Sequence, residues 1–268
     1  MDLAILVEDL WLSYTARRVG RLTPGYVMNR IKRGKKKKIA LRGVSLEVPQ
    51  GQMLGVIGRN GSGKTTLLRT LAGIYLPTRG QVTIWGRSAS LIDATAGFQR
   101  DLTLKENVFL AGSLYGISKQ EMREKFRSIT EFAGLTQEID APLQSFSAGM
   151  IMRVGFALGM SLQPDIFLID EVLAVGDESF KVQSLEKVSE MRALGKTIVL
   201  GSHELPLVKE FCDRVIVLER GRIVHDADPE ESIDAYCELL GVDVEKAMSR
   251  PPVEVARMRQ IERKWKRR

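Results

Sequence analysis

Two short stretches hold most of the residues whose types and spacing could do chemistry. The first, GRNGSGKTT, fits the pattern G-x-x-x-x-G-K-[ST]. Glycines in this pattern leave backbone N–H groups free to surround phosphate oxygens, and a helix starting at the loop adds its positive dipole end. Lys64 is predicted to reach the β- and γ-phosphates of a nucleotide, and the Thr65 hydroxyl to bind Mg²⁺. The predicted phosphate loop consists of Gly58, Arg59, Asn60, Gly61, Ser62, Gly63, Lys64, Thr65 and Thr66.

The second stretch, LIDEVLAVGD, places two carboxylates side by side at the end of an apolar run. Asp170 and Glu171 are adjacent, and Asp177 follows six residues after Glu171. Neighbouring like charges repel, and their desolvation is costly. A cation bound by the phosphates would offset that repulsion. Beside a phosphate loop, Asp170 is predicted to hold Mg²⁺ through water, and Glu171 to act as general base on the attacking water.

An α/β fold is predicted to position both stretches. The apolar runs MLGVI, IFLID and TIVLG indicate buried strands, and 178–194 and 204–213 indicate helices between and after them. This alternation is typical of a mostly parallel sheet covered on both faces. VIVLERGRIVH predicts a hairpin around Arg220-Gly221, and the first ten residues alternate as in an edge strand.

A helical subdomain is predicted to interrupt the α/β pattern at about residues 98–160. Ser118 and Glu121 have the spacing of a capping box, and a helical face of Met122, Phe126, Ile129 and Phe132 follows. A second helix is predicted from Ser147 to Leu162, where Pro164 stops it.

Composition and charge limit the class of protein. The 268 residues carry a net charge of +7, concentrated in residues 17–38 and 246–268, which contribute +10 and +7 and leave −10 on the rest. An acidic body with basic appendages suggests an anionic partner surface, membrane phospholipid or nucleic acid, although lysine runs are often simply solvated. No apolar run approaches the roughly 20 residues of a membrane helix, and no secretory signal is visible. Two cysteines are too few for a disulfide framework, so a cytosolic location is expected.

The pentapeptide FSAGM resembles the signature sequence of ABC ATPases, usually written LSGGQ. It stands in the family order, after the phosphate loop and before the strand that ends in Asp-Glu, and the resemblance covers about residues 3–240. It implies a P-loop NTPase with a mostly parallel core sheet, an antiparallel β subdomain and an inserted helical subdomain. It also implies a head-to-tail homodimer in which each signature segment contacts ATP held by the other copy. That segment consists of Phe146, Ser147, Ala148, Gly149 and Met150.

The resemblance also assigns residues outside the motifs. His203 follows TIVLGS, where the family has a catalytic switch histidine, and Asp177 belongs to the loop crossing the dimer interface. Tyr14 has the position of the tyrosine that stacks on adenine, with Trp11 as the competing aromatic. A glutamine that senses the metal is expected about 12 residues before Glu106. Counting back reaches Asp93, while Gln99 is closer, so both stay open as the metal-sensing residue.

Details of the motifs are similar to those of polysaccharide-export ABC ATPases. DEVLAVGD and GMIMRVGFALGM replace commoner family patterns, and a basic insert at about 15–38 separates Tyr14 from the phosphate loop. The expected function is ATP hydrolysis, with ATP and Mg²⁺, that drives a lipid-linked O-antigen, capsule or teichoic acid chain across the membrane. An exporter of another cargo, such as a lipid or drug, and a soluble nucleic-acid or ribosome-associated ATPase are the alternatives, the latter disfavoured because neither a second cassette nor a coiled-coil arm is visible.

The same resemblance implies the partners and the domain division. The expected partners are a membrane-spanning permease, a second copy of the chain and anionic lipid headgroups, without nucleic acid, at the cytoplasmic face of the cell membrane. The ATPase domain is predicted at residues 1–240, and a basic tail at 241–268. Residues 95–115 are predicted to face the permease.

Overall fold

A computed structural model describes residues 2–15, 37–92, 94–170 and 177–248 of the chain. Most of the basic insert and of the basic tail, as well as Asp93 and Glu171, lie outside the described residues. The elements, in chain order, are β1 Leu3–Thr15, β2 Lys37–Pro49, β3 Met53–Ile57, α1 Lys64–Leu71, β4 Arg79–Ile84, β5 Ser88–Ser90, α2 Leu104–Leu114, α3 Lys119–Ala133, α4 Ala148–Ser161, β6 Ile166–Asp170, α5 Glu178–Ala193, β7 Thr197–Gly201, α6 Leu205–Phe211, β8 Arg214–Glu219, β9 Arg222–Ala227, α7 Pro229–Leu240 and α8 Val244–Met248.

Two sheets carry the fold. The larger has the order β5-β6-β7-β3-β8-β9, with parallel pairs throughout except for the antiparallel hairpin β8–β9. The carboxyl ends of β3 and β6 therefore lie at the same edge, which brings the phosphate loop and Asp170 together. The predicted α/β class and mostly parallel core sheet are confirmed.

The smaller sheet is antiparallel, in the order β2-β1-β4. The prediction that the first residues form an edge strand is wrong, because β1 is the central strand of this sheet. Its core-facing residues Ile5, Val7 and Leu10 are almost fully buried. Alternation of apolar and polar residues cannot distinguish an edge strand from a central strand, since an antiparallel strand with one solvated face alternates in either position. The pairing with β4, more than 60 residues away, decides it.

The larger sheet is covered on both faces, as its near-continuous apolar strands predict. Successive residues of β6 point to opposite sides: Phe167 and Ile169 belong to one apolar cluster, Ile166 and Leu168 to the other. Val244, Ala247 and Met248 of α8 pack against the first cluster, so the described helices on both sides of residue 240 pack on the core. The division into domains after residue 240 stays a prediction.

The helices α2, α3 and α4 have their own apolar cluster, which contains Leu104, Met122, Ile129 and Val154. Ser118 caps α3 by accepting a hydrogen bond from the Glu121 N–H, which is one half of the predicted capping box. The full reciprocal capping box is found one helix earlier, between Thr103 and Glu106. Within the described ranges, no helix combines the length and the apolar character needed to cross a membrane.

Candidate nucleotide site

The phosphate loop connects β3 to α1 in a backbone conformation that its glycines permit. Gly58, Gly61 and Gly63 all have positive φ, at 149°, 79° and 117°. A Cβ at Gly58 would lie 2.2 Å from the Leu218 carbonyl oxygen, whereas a Cβ at Gly61 would meet nothing within 4 Å. Gly58 is therefore required by the protein's own packing. Gly61 instead leaves open space above the loop, which suits a ligand that approaches the backbone closely.

Two buried polar side chains in this loop are suited to phosphate. Lys64 is 5% exposed, and its ammonium donates to the Gly58 carbonyl oxygen at 2.7 Å, which leaves further donors on the same nitrogen. Ser62 is 4% exposed, and its hydroxyl has no hydrogen-bond partner among the described residues. Buried hydroxyls normally have partners, so Ser62 is an available donor for an anion. The loop fits a nucleotide phosphate.

The β8–β9 hairpin holds the outer side of this loop. The Gly221 N–H donates to the Ser62 carbonyl oxygen at 2.7 Å, and the Arg42 N–H donates to the Gly221 carbonyl oxygen at 2.8 Å. A cavity of about 1250 Å³ opens between the loop, the hairpin and β2. Its lining includes Tyr14, Lys38, Asn60, Gly61, Gly63, Lys64, Thr65 and Thr66.

Asp170 ends β6 opposite Gly201 of β7. A Cβ at Gly201 would lie 2.8 Å from Asp170 Oδ1 and 2.7 Å from Leu68 Cδ1. The missing side chain at position 201 therefore lets the carboxylate lie directly against β7 and next to the helix that starts at Lys64. The described residues contain no cluster of three or more His, Cys, Asp or Glu side chains that could hold a metal. Mg²⁺ in nucleotide sites is usually held by one or two protein oxygens plus the phosphates, which Asp170 and Thr65 could supply.

Tyr14 is one of the residues that line this cavity. Its hydroxyl donates to Thr66 Oγ1 at 3.1 Å, and its ring contacts Tyr75 edge to face, with 5.6 Å between the ring centres. Burial raises the pKa of the Tyr14 phenol above its ordinary value of 10.0. Of the two aromatics considered from the sequence, Tyr14 lines the nucleotide cavity and Trp11 does not.

The signature segment forms the exposed start of α4. Ser147 is the N-cap residue, and its hydroxyl accepts a hydrogen bond from the Met150 N–H at 3.2 Å. Phe146 is buried, at 9% exposure, and anchors the segment to the helical cluster. A Cβ at Gly149 would meet only Ser147 Oγ, at 3.9 Å, so nothing in the chain's own packing requires glycine there. The first turn of α4 is thus open to an outside group.

Asp177 links this helix to α5. One carboxylate oxygen caps α5 by accepting from the Phe180 N–H at 2.9 Å, and the other pairs with Arg153 of α4. The Arg153 guanidinium also lies over the Phe180 ring, 5.3 Å from its centre. Hydrogen bonds from the Phe180 N–H and the Ser179 hydroxyl, with the charge of Arg153, lower the pKa of Asp177. Arg153 was not predicted from the sequence, where it looks like any helical arginine.

Replacing Arg153 with methionine is expected to lower the free energy of unfolding by about 1 kcal/mol, since a cation–π contact and a partly exposed ion pair are lost. Arg127→Met is the control, because the Arg127–Glu131 pair is largely exposed and screened by water, so its loss should lower the free energy of unfolding less. Urea unfolding measures both. Because the pKa of Asp177 is lowered in the folded protein, its ionised form stabilises the fold above the ordinary pKa of 3.8, and this stabilisation is lost as the pH falls through the folded pKa. The difference in unfolding free energy between wild type and Arg153→Met should therefore shrink below pH 3.8. Equal losses of unfolding free energy for the two variants would show that Arg153 does not help to hold α4 against α5.

Asn107 organises the loop that contains Gln99. Asn107 is completely buried; its Oδ1 accepts from the Gln99 N–H at 2.7 Å, and its Nδ2 donates to the carbonyl oxygens of Gln99, Leu102 and Thr103. These bonds hold the Gln99 backbone, while its side chain is exposed. The spacing of the ENV segment was noticed in the sequence, but this role of Asn107 was not.

The remaining site residues are less fully described. His203 is exposed just beyond the end of β7. Glu171 and Asp93 lie outside the described residues. Near Asp93, the Leu91 N–H donates to the Leu168 carbonyl oxygen at 2.8 Å, so the chain leaves the sheet beside β6 shortly before that position. The predictions for Glu171, and for Asp93 or Gln99 as metal sensor, stay predictions.

The family model described as ABC transporter matches residues 41–174. The chain belongs to the ABC transporter family. Named relatives agree with this. The O-antigen export system ATP-binding protein RfbB of Myxococcus xanthus is 42% identical over 80% of this chain, and a protein of the same name from Klebsiella pneumoniae is 38% identical over 75%. The teichoic acids export ATP-binding protein TagH of Bacillus anthracis is 41% identical over 75%.

The matched lengths differ among these ABC relatives. The match spans 82% of the Klebsiella protein, but 49% of the Myxococcus protein and 36% of the Bacillus protein. A solved ATP-binding subunit of an ABC transporter superposes with a TM-score of 0.71 at 25% identity, covering 94% of this chain and 99% of its own. The ADP- and phosphate-bound dimeric cassette MJ0796 gives 0.67 at 20% identity, covering 84% and 98%, which shows the shared fold.

Proposed function

We propose that the chain is the ATP-hydrolysing subunit of an exporter that moves a lipid-linked polysaccharide across the cytoplasmic membrane. The observation that carries the ATPase part is the buried pair Lys64 and Ser62 in a glycine loop beside Asp170. The cargo class is supported by the names of the relatives, which are O-antigen and teichoic acid exporters. An exporter for another cargo is the alternative.

The phosphate loop would hold ATP through its backbone N–H groups, Ser62 and Lys64, with the adenine against Tyr14. Thr65 and Asp170 would hold Mg²⁺, whose charge neutralises the phosphate oxygens when it is bound. Glu171 would accept a proton from the attacking water, and His203 would contact the γ-phosphate. Asp93 or Gln99 would link the metal to the helical subdomain.

A second copy would complete each site. Ser147 and the open first turn of α4 present a hydroxyl and helix N-terminal N–H groups, which suit a phosphate. Phe146, Ala148, Gly149 and Met150 belong to that surface, and Asp177 would lie at the interface. Because an N-terminus of this kind attracts anions, ATP bound by one copy would draw the α4 start of the other towards it.

The helical subdomain would dock the membrane-spanning permease through residues 95–115. Leu114 and Tyr115 are exposed neighbours on this surface, at 67% and 44%. Within this surface, the hydrogen bonds of Asn107 hold α2 to the segment around Gln99. The basic insert would lie near anionic headgroups at the cytoplasmic face, where each lysine or arginine contributes on the order of 1 kcal/mol. No nucleic acid partner is proposed.

Purification of the chain with its permease tests this function. Lipid-linked polysaccharide from the same cells should co-purify and stimulate ATP hydrolysis, and replacing Lys35–Lys38 with glutamine should weaken attachment to anionic vesicles. Stimulation by another lipid or a drug, and none by the glycan, would support the alternative cargo. Tight DNA binding at physiological salt, with no permease attached, would refute the export function.

A further inference from the structure

Tyr75 lies in the short connection between α1 and β4, which is fastened at both ends. The N–H groups of Ile74 and Tyr75 both donate to the Arg69 carbonyl oxygen, at 2.9 and 3.2 Å. The Thr78 N–H donates to the Trp11 carbonyl oxygen of β1 at 2.7 Å. The connection therefore joins the helix of the phosphate loop to the strand that carries Tyr14.

Side-chain contacts of Tyr75 also connect α1 with Tyr14 of β1. The Tyr75 ring meets the Tyr14 ring edge to face, with an angle of 78° between their planes. Arg69 Nη1 donates to the Tyr75 hydroxyl at 3.3 Å, and the Arg69 guanidinium lies 5.9 Å from the centre of the Tyr75 ring. Tyr14 in turn donates to Thr66, which lies three residues before Arg69 on the same face of α1. Tyr14 is thus held from its hydroxyl end and from its side.

We propose that Tyr75 is a positioning residue that fixes the Tyr14 ring for stacking on the adenine base. This inference rests on the proposed function, and specifically on Tyr14 as the base-stacking residue. Tyr14 lines the nucleotide cavity, whereas Tyr75 does not, so Tyr75 acts on the base through Tyr14. A ring that is already fixed in its binding orientation loses less conformational freedom when the base arrives.

The arrangement also ties the base site to the phosphate site. Arg69 and Thr66 belong to α1, whose first residue is Lys64. The plane of the Tyr14 ring is therefore set relative to the phosphate loop, and not only relative to its own strand. A nucleotide must satisfy both sites at once, so the distance between them is a determinant of selectivity for a base-bearing triphosphate over a bare polyphosphate.

The test compares two probes on the full-length chain with Mg²⁺: a non-hydrolysable ATP analogue, and inorganic tripolyphosphate, which lacks a base. Tyr75→Leu should raise the Kd of the analogue about 3- to 10-fold, the range of one lost aromatic pair, and change the Kd of tripolyphosphate less than about 2-fold. Tyr75→Phe keeps the ring contact and should stay within about 2-fold for both probes. Trp85→Leu, at an exposed aromatic outside the cavity lining, is the control for a general loss of stability.

The Tyr14→Leu background decides whether Tyr75 acts through Tyr14. The effect of Tyr75→Leu on the analogue should disappear there, since neighbouring residues that act on one interaction are not additive. Equal weakening of both probes, unchanged analogue affinity, or an effect that persists without Tyr14 would overturn the positioning role. If Tyr14→Leu alone leaves the analogue Kd unchanged, base stacking by Tyr14 fails. If the wild-type chain binds neither probe, the proposed function itself fails.

Discussion

Replacing Glu171 with glutamine is expected to reduce ATP turnover by about 10²–10⁴-fold while ATP still binds, the usual scale for losing a general base. Glutamine has nearly the same shape but cannot take a proton from water. The structure supports the location, because β6 delivers the chain to Asp170 at the edge of the sheet where the phosphate loop starts. Phosphate release and equilibrium nucleotide binding, measured on the same sample, separate turnover from affinity.

Glu238→Gln is the matched control for this experiment. Glu238 is an exposed carboxylate on α7 that does not line the nucleotide cavity. Its replacement should leave turnover within about 3-fold of wild type, because no proton transfer is assigned to it. Turnover of the Glu171 variant in the same narrow range would remove Glu171 from the role of base.

The second large effect is the recovery of ATP turnover when two inactive variants of the chain are mixed. Lys64→Ala removes the buried ammonium of the phosphate loop, and Ser147→Arg fills the open start of α4; each variant alone is expected to be inactive. In a head-to-tail dimer of one copy of each, one site carries both defects and the other carries neither. Half of the dimers formed from equal amounts are mixed, so about a quarter of all sites should be intact.

ATP turnover of the mixture, with the permease present, measures this restoration. The ATP turnover of each variant measured alone, at the same total concentration, gives the baseline. Recovery of turnover to at most about a quarter of wild type would support sites shared between two copies. A mixture no more active than its components, although nucleotide still brings the chains together, would mean that each site is built within one chain.

The phosphate loop could be predicted from the sequence because it is local. Its glycines, lysine and flanking apolar runs fall within a few residues of each other, and the backbone conformation follows from them. Asp170 could be placed for a similar reason, since it ends a buried strand. The requirement for glycine at position 201 could not be predicted, because it arises from the pairing of β6 with β7.

Long-range contacts account for what sequence patterns missed. Arg153 and Asp177 are 24 residues apart, and Tyr14 and Thr66 are 52 apart. An arginine on a helix and a tyrosine near the end of a strand have no local pattern that indicates such partners. The sequence pattern Glu-Asn-Val drew attention to the segment that contains Asn107, but it did not indicate what Asn107 binds. Its four hydrogen bonds to the backbone depend on how residues 99–103 fold against α2.

By itself the sequence determined the α/β class, the phosphate loop, the carboxylate at the end of β6 and the start of α4 near Ser147, because each depends on residues close together in the chain. The tertiary structure decided that β1 is a central strand, that Arg153 joins α4 to α5, and that Tyr75 connects Tyr14 to the helix of the phosphate loop. These features arise where elements distant in sequence pack against each other, and periodicity along one segment carries no information about its neighbours in space.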